Sequence, residues 1–313
     1  MIISASRRTD IPSYYSEWFF NRLKEEFVYV RNPMNPRRIS RISLCRDVVD
    51  GIVFWTKNPV PMLGRLKELS EYPCYFQFTL NPYGSDIEKN LPSKKDVLIP
   101  AFRQLSSELG QERVVWRYDP ILLNDQYTVS YHIKYFRELA QKLSGYTDMC
   151  TVSFLDLYKG IQRKAAALGI VPPSSEQEEE LVGCFCEIAA ERGISLNTCA
   201  EKGDFSKFGV QHAACIDTSR LERIRGDRLH IEKDRNQRAD CGCAASIDIG
   251  AYHSCKSGCL YCYANAGFQK TVASLAVHDP RSPLLLGQVG GGDCIAERKV
   301  ISCQERAISL AEN

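Results

Sequence analysis

The sequence predicts an α/β fold in the form of a full or partial (β/α) TIM-like barrel, with a doubly wound open sheet as the alternative. Short apolar runs alternate with amphipathic helical patterns, and strands that alternate with helices form parallel sheets. About six such units follow one another within about 200 residues, which favours one barrel over separate domains. No G-x-G-x-x-G or phosphate-loop motif follows a predicted strand, so a nucleotide-binding doubly wound sheet is less favoured.

Apolar runs and helical spacing define the predicted elements in order. The predicted strands cover residues 2–6, 51–55, 74–80, 113–118, 149–155 and 194–196. Pro12 suits the start of the first helix, and the helix after Thr128 has an apolar inner stripe that ends before Gly145. Ser175 and Glu178 predict a capping box at the start of the last of these helices.

The composition describes one large domain with no charged partner implied by the total charge. The chain has 313 residues, of which 44% are hydrophobic and 25% are charged, and its formal net charge is +2. This balance gives no case for nucleic acid or a membrane as a partner. The apolar start is too short for a signal peptide, so we expect a cytoplasmic protein. In that reducing compartment, the 14 cysteines indicate metal ligands or buried thiols rather than disulfides.

Polar residues follow the predicted strands. Because the C-terminal ends of parallel strands meet at one mouth of a barrel, we expect their side chains to share one pocket. The candidate catalytic residues are Arg8, Asp10, Lys57, Asn58, Arg117, Asp119 and Glu201. Arg8 and Arg117 would suit a carboxylate or phosphate by bidentate geometry. The alternative for each residue is structural, since Asp, Thr and Asn also cap helices and buried charges also form satisfied networks.

The segment 240–265 is the most specific pattern in the chain. Cys255, Cys259 and Cys262 follow a C-x-x-x-C-x-x-C spacing, and Tyr261 directly precedes the last cysteine. A closed zinc or iron–sulfur site needs four thiolates, so three predict an open metal position. Structural zinc is the alternative, because short tracts rich in Cys and His commonly bind zinc in intracellular proteins.

This spacing resembles the cluster loop of radical SAM enzymes, in which three cysteines hold a four-iron, four-sulfur cluster and S-adenosylmethionine (SAM) occupies the fourth iron. The resemblance implies that Cys255, Cys259 and Cys262 hold such a cluster and that Tyr261 lies beside the cofactor. It also implies SAM as a cofactor and an electron donor such as a flavodoxin or ferredoxin. In radical SAM enzymes the loop usually follows the first barrel strand, whereas here it lies near the C-terminus.

Nearly the whole chain also resembles an uncharacterised bacterial domain-of-unknown-function family noted for a radical-SAM-like cysteine cluster at its C-terminal end. The matching segments read RRTDIP, RNP, FWTKNP, WRYDP, CAE, CGC, SIDIG and YCYAN. The expected organisation is a barrel over residues 1–198, a cysteine-rich cluster segment over 199–266 on the barrel mouth, and a tail over 267–313 that wraps the barrel. The expected function is a radical-SAM-like enzyme, although the family supplies no substrate.

A second cysteine set consists of Cys199, Cys215, Cys241 and Cys243. These four residues make a complete thiolate set for a closed four-iron, four-sulfur cluster or a zinc ion, and the division into four and three resembles radical SAM enzymes with an auxiliary cluster. The alternative is that Cys199 and Cys215 are buried thiols, while Cys241 and Cys243 assist the main site. Two other functions stay open, namely an iron–sulfur electron carrier or sensor and a zinc-stabilised binding module.

Overall fold

A computed structural model describes residues 1–158, 160–238, 240–265 and 267–305. The strands in chain order are β1 (Ile2–Ala5), β2 (Phe27–Arg31), β3 (Arg38–Ser43), β4 (Gly51–Thr56), β5 (Cys74–Thr79), β6 (Val114–Ile121), β7 (Met149–Phe154), β8 (Ser195–Thr198), β9 (Gln211–His212), β10 (Ser246–Asp248) and β11 (Cys294–Glu297). The α-helices are α1 (Ile11–Tyr14), α2 (Ser16–Lys24), α3 (Val60–Leu63), α4 (Ile99–Leu109), α5 (Val129–Leu143), α6 (Gln162–Ala167), α7 (Ser175–Ala190), α8 (Thr218–Arg225) and α9 (Phe268–Leu275).

Most of the strands form one parallel sheet. Among the described residues it has eight strands in the spatial order β10, β1, β4, β5, β6, β7, β8, β9. Each neighbouring pair is parallel. The predicted α/β class is therefore confirmed, and every strand predicted from the sequence belongs to this sheet. The end strands β9 and β10 come from the segment 199–266, so that segment contributes to the sheet as well as to its mouth.

The strand order follows the chain from β1 to β9, and β10 then returns to the free side of β1. Ile247 of β10 pairs with Ile3 of β1. The sheet therefore has β9 and β10 at its two ends. In the part of the chain that the structure describes, these two strands share no ladder, so a closed barrel is not observed. A doubly wound sheet instead reverses its strand order in the middle of the sheet.

The face of the sheet that carries Phe54 and Phe76 packs against the helices. The rings of these two residues stack at 4.5 Å between neighbouring strands. Phe136 of α5 stacks on Trp116 of β6 at 4.8 Å and on Phe185 of α7 at 3.9 Å. Large stacked aromatic side chains of this kind dominate the burial energy of a core. This core fixes the strands whose ends form the site.

The opposite face of the sheet is also buried. Side chains alternate between the two faces of a strand, so Val53, Tyr75 and Val115 point away from the face that α5 and α7 cover. They pack against Cys215 and Leu221, which lie in the segment between β9 and β10. Burial on both faces explains why the strands read as nearly continuous apolar runs in the sequence.

A smaller sheet joins the first and last parts of the chain. In it β2 pairs with β3 in antiparallel fashion, and β11 pairs with β3 in parallel fashion. Arg31 forms an ion pair with Asp293 at 2.7 Å, and the indole N–H of Trp18 donates to the carbonyl oxygen of Ser282 at 2.9 Å. The described part of the tail thus packs back onto the first part of the chain.

The predicted capping box is wrong by one residue. Ser174, rather than Ser175, is the N-cap of α7, and its hydroxyl accepts the backbone N–H of Gln177. The side chain of Gln177 in turn accepts the backbone N–H of Ser174 at 3.0 Å. The sequence did not decide between the two positions, because both satisfy the pattern S-x-x-E/Q.

Candidate functional site

A cavity of about 690 Å³ opens at the C-terminal edge of the parallel sheet. Its walls come from the ends of β1, β4, β5, β6 and β7 and from the segments that follow β8 and β10, because parallel strands end at a common edge. The predicted site residues that line it are Arg8, Asp10, Lys57, Arg117, Asp119, Tyr261, Cys199, Cys215, Cys241, Cys243, Cys255, Cys259 and Cys262. The structure therefore brings both cysteine sets to one cavity.

Asn58 and Glu201 are not brought into the lining of this cavity. The side-chain oxygen of Asn58 accepts the backbone N–H of Val60 at 3.3 Å, at the start of α3. Glu201 accepts the backbone N–H of Phe154 at 3.0 Å. Burial is the main cause that raises the pKa of Glu201 to about 8, and the nearby Asp156 carboxylate adds to it. The structure therefore does not bring these two residues together with the other candidates.

Asp10 joins the ends of β1 and β4. Its carboxylate accepts the backbone N–H groups of Ser13 at 3.0 Å and Lys57 at 2.8 Å, and the hydroxyl of Thr56 at 2.8 Å. Burial raises the pKa of Asp10 to about 6, although these hydrogen bonds oppose the shift. Asp10 is therefore a structural bridge that also lines the cavity.

Arg8 is paired with a carboxylate of the protein itself. Its Nε and Nη2 donate to Oδ1 of Asp248 at 3.1 and 2.9 Å. Asp248 also accepts the hydroxyl of Ser6 at 2.6 Å. Burial opposes ionisation of Asp248, but Arg8 and the hydrogen bond from Ser6 outweigh it and lower the pKa of that carboxyl. Arg8 is thus held by β10 and the loop after β1.

Arg117 connects a thiol to a carboxylate. Its Nη1 donates to Sγ of Cys215 at 2.9 Å, and its Nε donates to Asp119 at 3.0 Å. Nη2 of Arg117 and the hydroxyl of Ser153 also donate to Asp119. Only 4% of Arg117 is exposed. Protein groups therefore occupy the guanidinium fork that the sequence suggested for an external carboxylate or phosphate.

Arg7 differs from the other two arginines of the cavity. Its guanidinium lies over the ring of Trp55 at 5.1 Å from the centroid. Nη2 of Arg7 is buried, and no residue in the described ranges accepts a hydrogen bond from it. Among the groups whose charge acts on Arg7 are the thiols of Cys243 and Cys215. Arg7 therefore presents an unsatisfied donor in a polar, buried place.

A buried ion-pair network lies beside the three-cysteine loop. Nζ of Lys57 donates to Oε1 of Glu88 at 2.8 Å, and Nζ of Lys94 lies 2.7 Å from Oε2. The hydroxyl of Tyr261 also donates to Glu88, and Lys57 lies 5.4 Å from the centre of the Tyr261 ring. Burial opposes ionisation of Glu88, but the two ammonium groups hold its pKa at about 2. Glu88 is thus a carboxylate at neutral pH.

The loop from Cys255 to Cys262 is fixed by contacts with several parts of the chain. The hydroxyl of Tyr15 donates to the carbonyl oxygen of Ser254 at 2.6 Å. The side-chain N–H of Asn265 donates to the carbonyl oxygen of Cys255 at 2.8 Å. Leu260 N–H donates to the carbonyl oxygen of Ile87 at 3.0 Å. These contacts hold the backbone that carries the three thiols without using the thiols themselves.

Cys259 is buried and Cys255 and Cys262 are half-buried, and all three thiols are protonated at neutral pH. Burial raises the pKa of Cys255 to about 11 and also raises that of Cys259 and Cys262. The ammonium group of Lys57 acts in the opposite direction on Cys259 and Cys262. A bound metal ion would lower the pKa of these thiols more strongly than Lys57 does, because metal ligation deprotonates a thiol.

The four thiols of the second set lie against one another. Sγ of Cys199 is 3.2 Å from Sγ of Cys215. Cys243 lies beside Cys215, because the backbone N–H of Ile216 donates to Sγ of Cys243 at 3.4 Å, and Cys241 packs in the same buried cluster. The hydrogen bonds from Cys199 and Cys243, together with the Arg117 charge, lower the pKa of the Cys215 thiol. The fold thus collects residues from three separate segments into one buried group.

No three His, Cys, Asp or Glu side chains within the described ranges are spaced to hold a metal ion as they stand. Zinc–sulfur bonds of about 2.3 Å in a tetrahedron put the sulfurs about 3.8 Å apart. The 3.2 Å contact between Cys199 and Cys215 is shorter, so these sulfurs must separate by about half an ångström before they surround an ion.

Sequence reasoning missed Glu88 and Asp248 as parts of this site and passed over Arg7. Asp248 lies in the segment SIDIG, directly before the loop, so its position was a usable signal. Glu88 follows β5 in irregular structure, and nothing in the local sequence marks it as the partner of Lys57. Only tertiary pairing shows that the guanidinium of Arg8, rather than that of Arg7, engages Asp248.

Comparison with known protein families gives a match over most of the chain. A family model described as a domain of unknown function, DUF1848, matches residues 2–264. The chain belongs to the DUF1848 family. Both cysteine sets and every cavity residue named above lie within the matched range. No curated protein and no solved structure matches the chain. Among the helices of the described residues, none has the length and apolar character needed to cross a membrane.

Proposed function

We propose that this DUF1848 protein is an iron–sulfur enzyme of the radical SAM type. It acts on an unknown substrate in the cavity at the C-terminal edge of its sheet. The observation that carries the proposal is that the thiols of Cys255, Cys259 and Cys262, from one short loop, line the same cavity as several buried cations and carboxylates. Three thiols aimed at a cavity of ligand size leave room for a cofactor with an open position.

The donor set suits a four-iron, four-sulfur cluster with one open iron. Cysteine thiolates are the usual ligands of such clusters, and the three thiols lie on a loop whose backbone is independently anchored. When bound, the cluster supplies the electron for reductive cleavage of SAM. The residues of the chain bind, orient and shield the reacting groups.

Lys57 and Tyr261 are the residues that would shape the open side of this loop. Lys57 places a buried positive charge near Cys259, and Glu88 fixes its position. A positive charge there stabilises thiolates and the anionic groups of a bound cofactor. The ring of Tyr261 lies between Lys57 and the ring of Tyr83, and the centres of the two tyrosine rings are 6.0 Å apart. Tyr261 therefore shields one side of the loop from water. Water exclusion protects reactive chemistry from side reactions.

The same proposal treats the sheet as a partial (β/α) barrel with its break between β9 and β10. The three-cysteine loop then reaches the barrel mouth from the C-terminal side, directly after β10. The proposal also implies a cytoplasmic protein, in which a flavodoxin or ferredoxin delivers the electron.

The test is anaerobic reconstitution with iron and sulfide, followed by elemental analysis and an assay for methionine and 5′-deoxyadenosine released from SAM. The variants are Cys255→Ala, Cys259→Ala and Cys262→Ala. The control is Cys150→Ala, because Cys150 is a buried free cysteine that lies in the helix-side core of β7. We expect the wild type and the control to bind iron and cleave SAM, and each loop variant to lose the SAM cleavage and the iron that belongs to the loop.

Other outcomes would contradict the proposal in distinct ways. Iron that depends on the loop without any SAM cleavage would indicate an electron carrier or sensor. Zinc bound in place of iron would indicate a zinc-stabilised binding module. Full iron retention in Cys259→Ala would show that the loop does not hold the cluster.

A further inference from the structure

A second group of thiols lies in the same cavity, apart from the loop used above. Cys199 follows β8, Cys215 precedes α8, and Cys241 and Cys243 precede β10. Cys215 contacts Cys199 at 3.2 Å, and Cys215, Cys241 and Cys243 pack in one buried cluster. The segments that carry them are distant in sequence, so the fold itself assembles the group.

The surrounding structure fixes the positions of these thiols. The hydroxyl of Tyr75 and the side-chain N–H of Gln77 both donate to the carbonyl oxygen of Cys215, at 2.7 and 2.9 Å. The backbone N–H of Ile216 donates to Sγ of Cys243 at 3.4 Å. Partners of this kind orient ligands before a metal binds, and N–H groups that point at sulfur stabilise thiolates.

Two guanidinium groups face the same thiols. Nη1 of Arg117 donates to Sγ of Cys215 at 2.9 Å. Arg7 lines the same cavity as Cys215, Cys241 and Cys243, and its buried Nη2 has no acceptor among the described residues. Burying a donor without an acceptor is costly. The unsatisfied donor of Arg7, together with the N–H of Arg117 that points at Cys215, therefore indicates an occupant with negatively charged sulfur ligands.

We propose that Cys199, Cys215, Cys241 and Cys243 form a closed four-thiolate metal centre whose negative charge is balanced by Arg7 and Arg117. On binding, each cysteine that is still protonated releases its proton to solvent and ligates the metal as a thiolate. This inference does not depend on the three-cysteine loop or on SAM.

The charge of such a centre matches its surroundings for either of two thiophilic occupants. Four thiolates around one Zn²⁺ carry a net charge of about −2. Four thiolates around an oxidised four-iron, four-sulfur cluster carry the same net charge of about −2. Two guanidinium groups neutralise either, and Nη2 of Arg7 gains an acceptor at a sulfur. The sulfur atoms would have to move less to surround a single zinc ion than to hold a four-iron, four-sulfur cluster.

A disulfide between Cys199 and Cys215 is the competing explanation of their contact. Its sulfur–sulfur bond would measure about 2.05 Å, well below the 3.2 Å found here. A disulfide would also leave Cys241, Cys243 and the unpaired nitrogen of Arg7 without an explanation. The test therefore needs an arm that detects it.

The experiment uses the full chain with Cys255, Cys259 and Cys262 all changed to Ala, so that the loop contributes no metal. Zinc and iron are quantified after anaerobic purification in this background, with and without Cys243→Ala. The matched control is Cys74→Ala, because Cys74 is as buried as Cys243 but lies in the helix-side core.

We expect one zinc or four iron atoms per chain in the background and in the Cys74→Ala control, and about a tenfold or greater loss of metal affinity with Cys243→Ala. Zinc and iron identify which occupant is bound, and either supports the centre. Equal metal content with Cys243→Ala and Cys74→Ala would overturn the proposal. So would a mass of the denatured, unreduced chain that shows a disulfide between Cys199 and Cys215.

Arg7 gives a second arm that does not depend on removing a ligand. Arg7→Gln should speed the removal of the metal by a chelator about tenfold, while Arg7→Lys, which keeps the charge, should stay close to the parent. A chelator rate that is the same in Arg7→Gln and the parent would overturn the assigned role of Arg7.

Discussion

Arg7 and Arg8 are neighbours in the chain but have different surroundings. Arg8 is committed to Asp248, whereas Arg7 stacks on Trp55 and leaves Nη2 without an acceptor among the described residues. The sequence analysis named Arg8 as the ligand-binding residue, although Arg7 and Arg8 both follow β1 and only their pairing distinguishes them. At the scale of single residues, burial and pairing decide function, and neither is visible in one sequence.

His132 gives a prediction for the pH dependence of stability. It is fully buried in α5 as a neutral ring, with Nδ1 2.8 Å from the hydroxyl of Tyr118 and Nε2 2.9 Å from the carbonyl oxygen of Leu122. Burial lowers its pKa to about 4, although the bond to Leu122 opposes this. The unfolded chain therefore takes up the proton first. Stability is complete above about pH 6.5 and falls by up to about 3 kcal/mol as the pH drops to 4.

Urea denaturation between pH 7 and 4 measures this effect. His132→Gln should flatten the profile, whereas the same change at the exposed His230 should leave it unchanged. Parallel profiles for the wild type and His132→Gln would show that His132 does not titrate in this way.

Glu88 gives a prediction for the ion-pair network. Glu88→Gln leaves the ammonium groups of Lys57 and Lys94 buried without their counter-ion, which should lower the free energy of unfolding by about 3 kcal/mol. The control is Glu68→Gln, because Glu68 pairs with Arg65 at an exposed position, where such pairs contribute about 1 kcal/mol or less. Chemical denaturation at pH 7 measures both, and equal losses would contradict the network.

At the scale of elements, the sequence predicted the central strands well and the edges poorly. β4, β5 and β6 are buried on both faces, so their apolar runs are long enough to recognise. β9 and β10 have only two and three residues, and their pairing depends on distant partners. Asp248 and the loop that follows it owe their position to the pairing of β10 with β1.

Gly250 gives a prediction for this junction. A methyl group at Gly250 would lie 2.6 Å from Cβ of Ser6 and 2.9 Å from Oγ1 of Thr9, and neither short side chain can move far. Gly250→Ala should therefore destabilise the protein by about 1–3 kcal/mol through overpacking. Gly64→Ala is the control, because its added methyl group meets nothing within 4 Å. Thermal unfolding compares the two, and equal melting temperatures would argue against tight packing of β10 on β1.

At the scale of the whole molecule, strand–helix alternation predicted a parallel sheet and polar strand ends predicted a shared cavity. Lys57 reaches that cavity for the reason given by the sequence, because it follows the C-terminal end of β4, whereas Arg117 lies within β6, level with the last residue of β5. Long-range packing determines that β9 and β10 stay apart at the two ends of the sheet. It also determines that Cys215 is buried on the second face of the sheet. No local pattern encodes such packing, so neither the closure of the sheet nor the charge of the cavity could be predicted from the sequence.

The central claim is that the loop from Cys255 to Cys262 holds a cluster with an open iron that binds SAM. Electron paramagnetic resonance of the reduced, reconstituted protein, recorded with and without SAM, tests it most directly. The account predicts a cluster signal that shifts when SAM is added, with the shift absent in Cys259→Ala and retained in Cys150→Ala. A wild-type spectrum without a cluster signal, or a signal that SAM leaves unchanged, would contradict it.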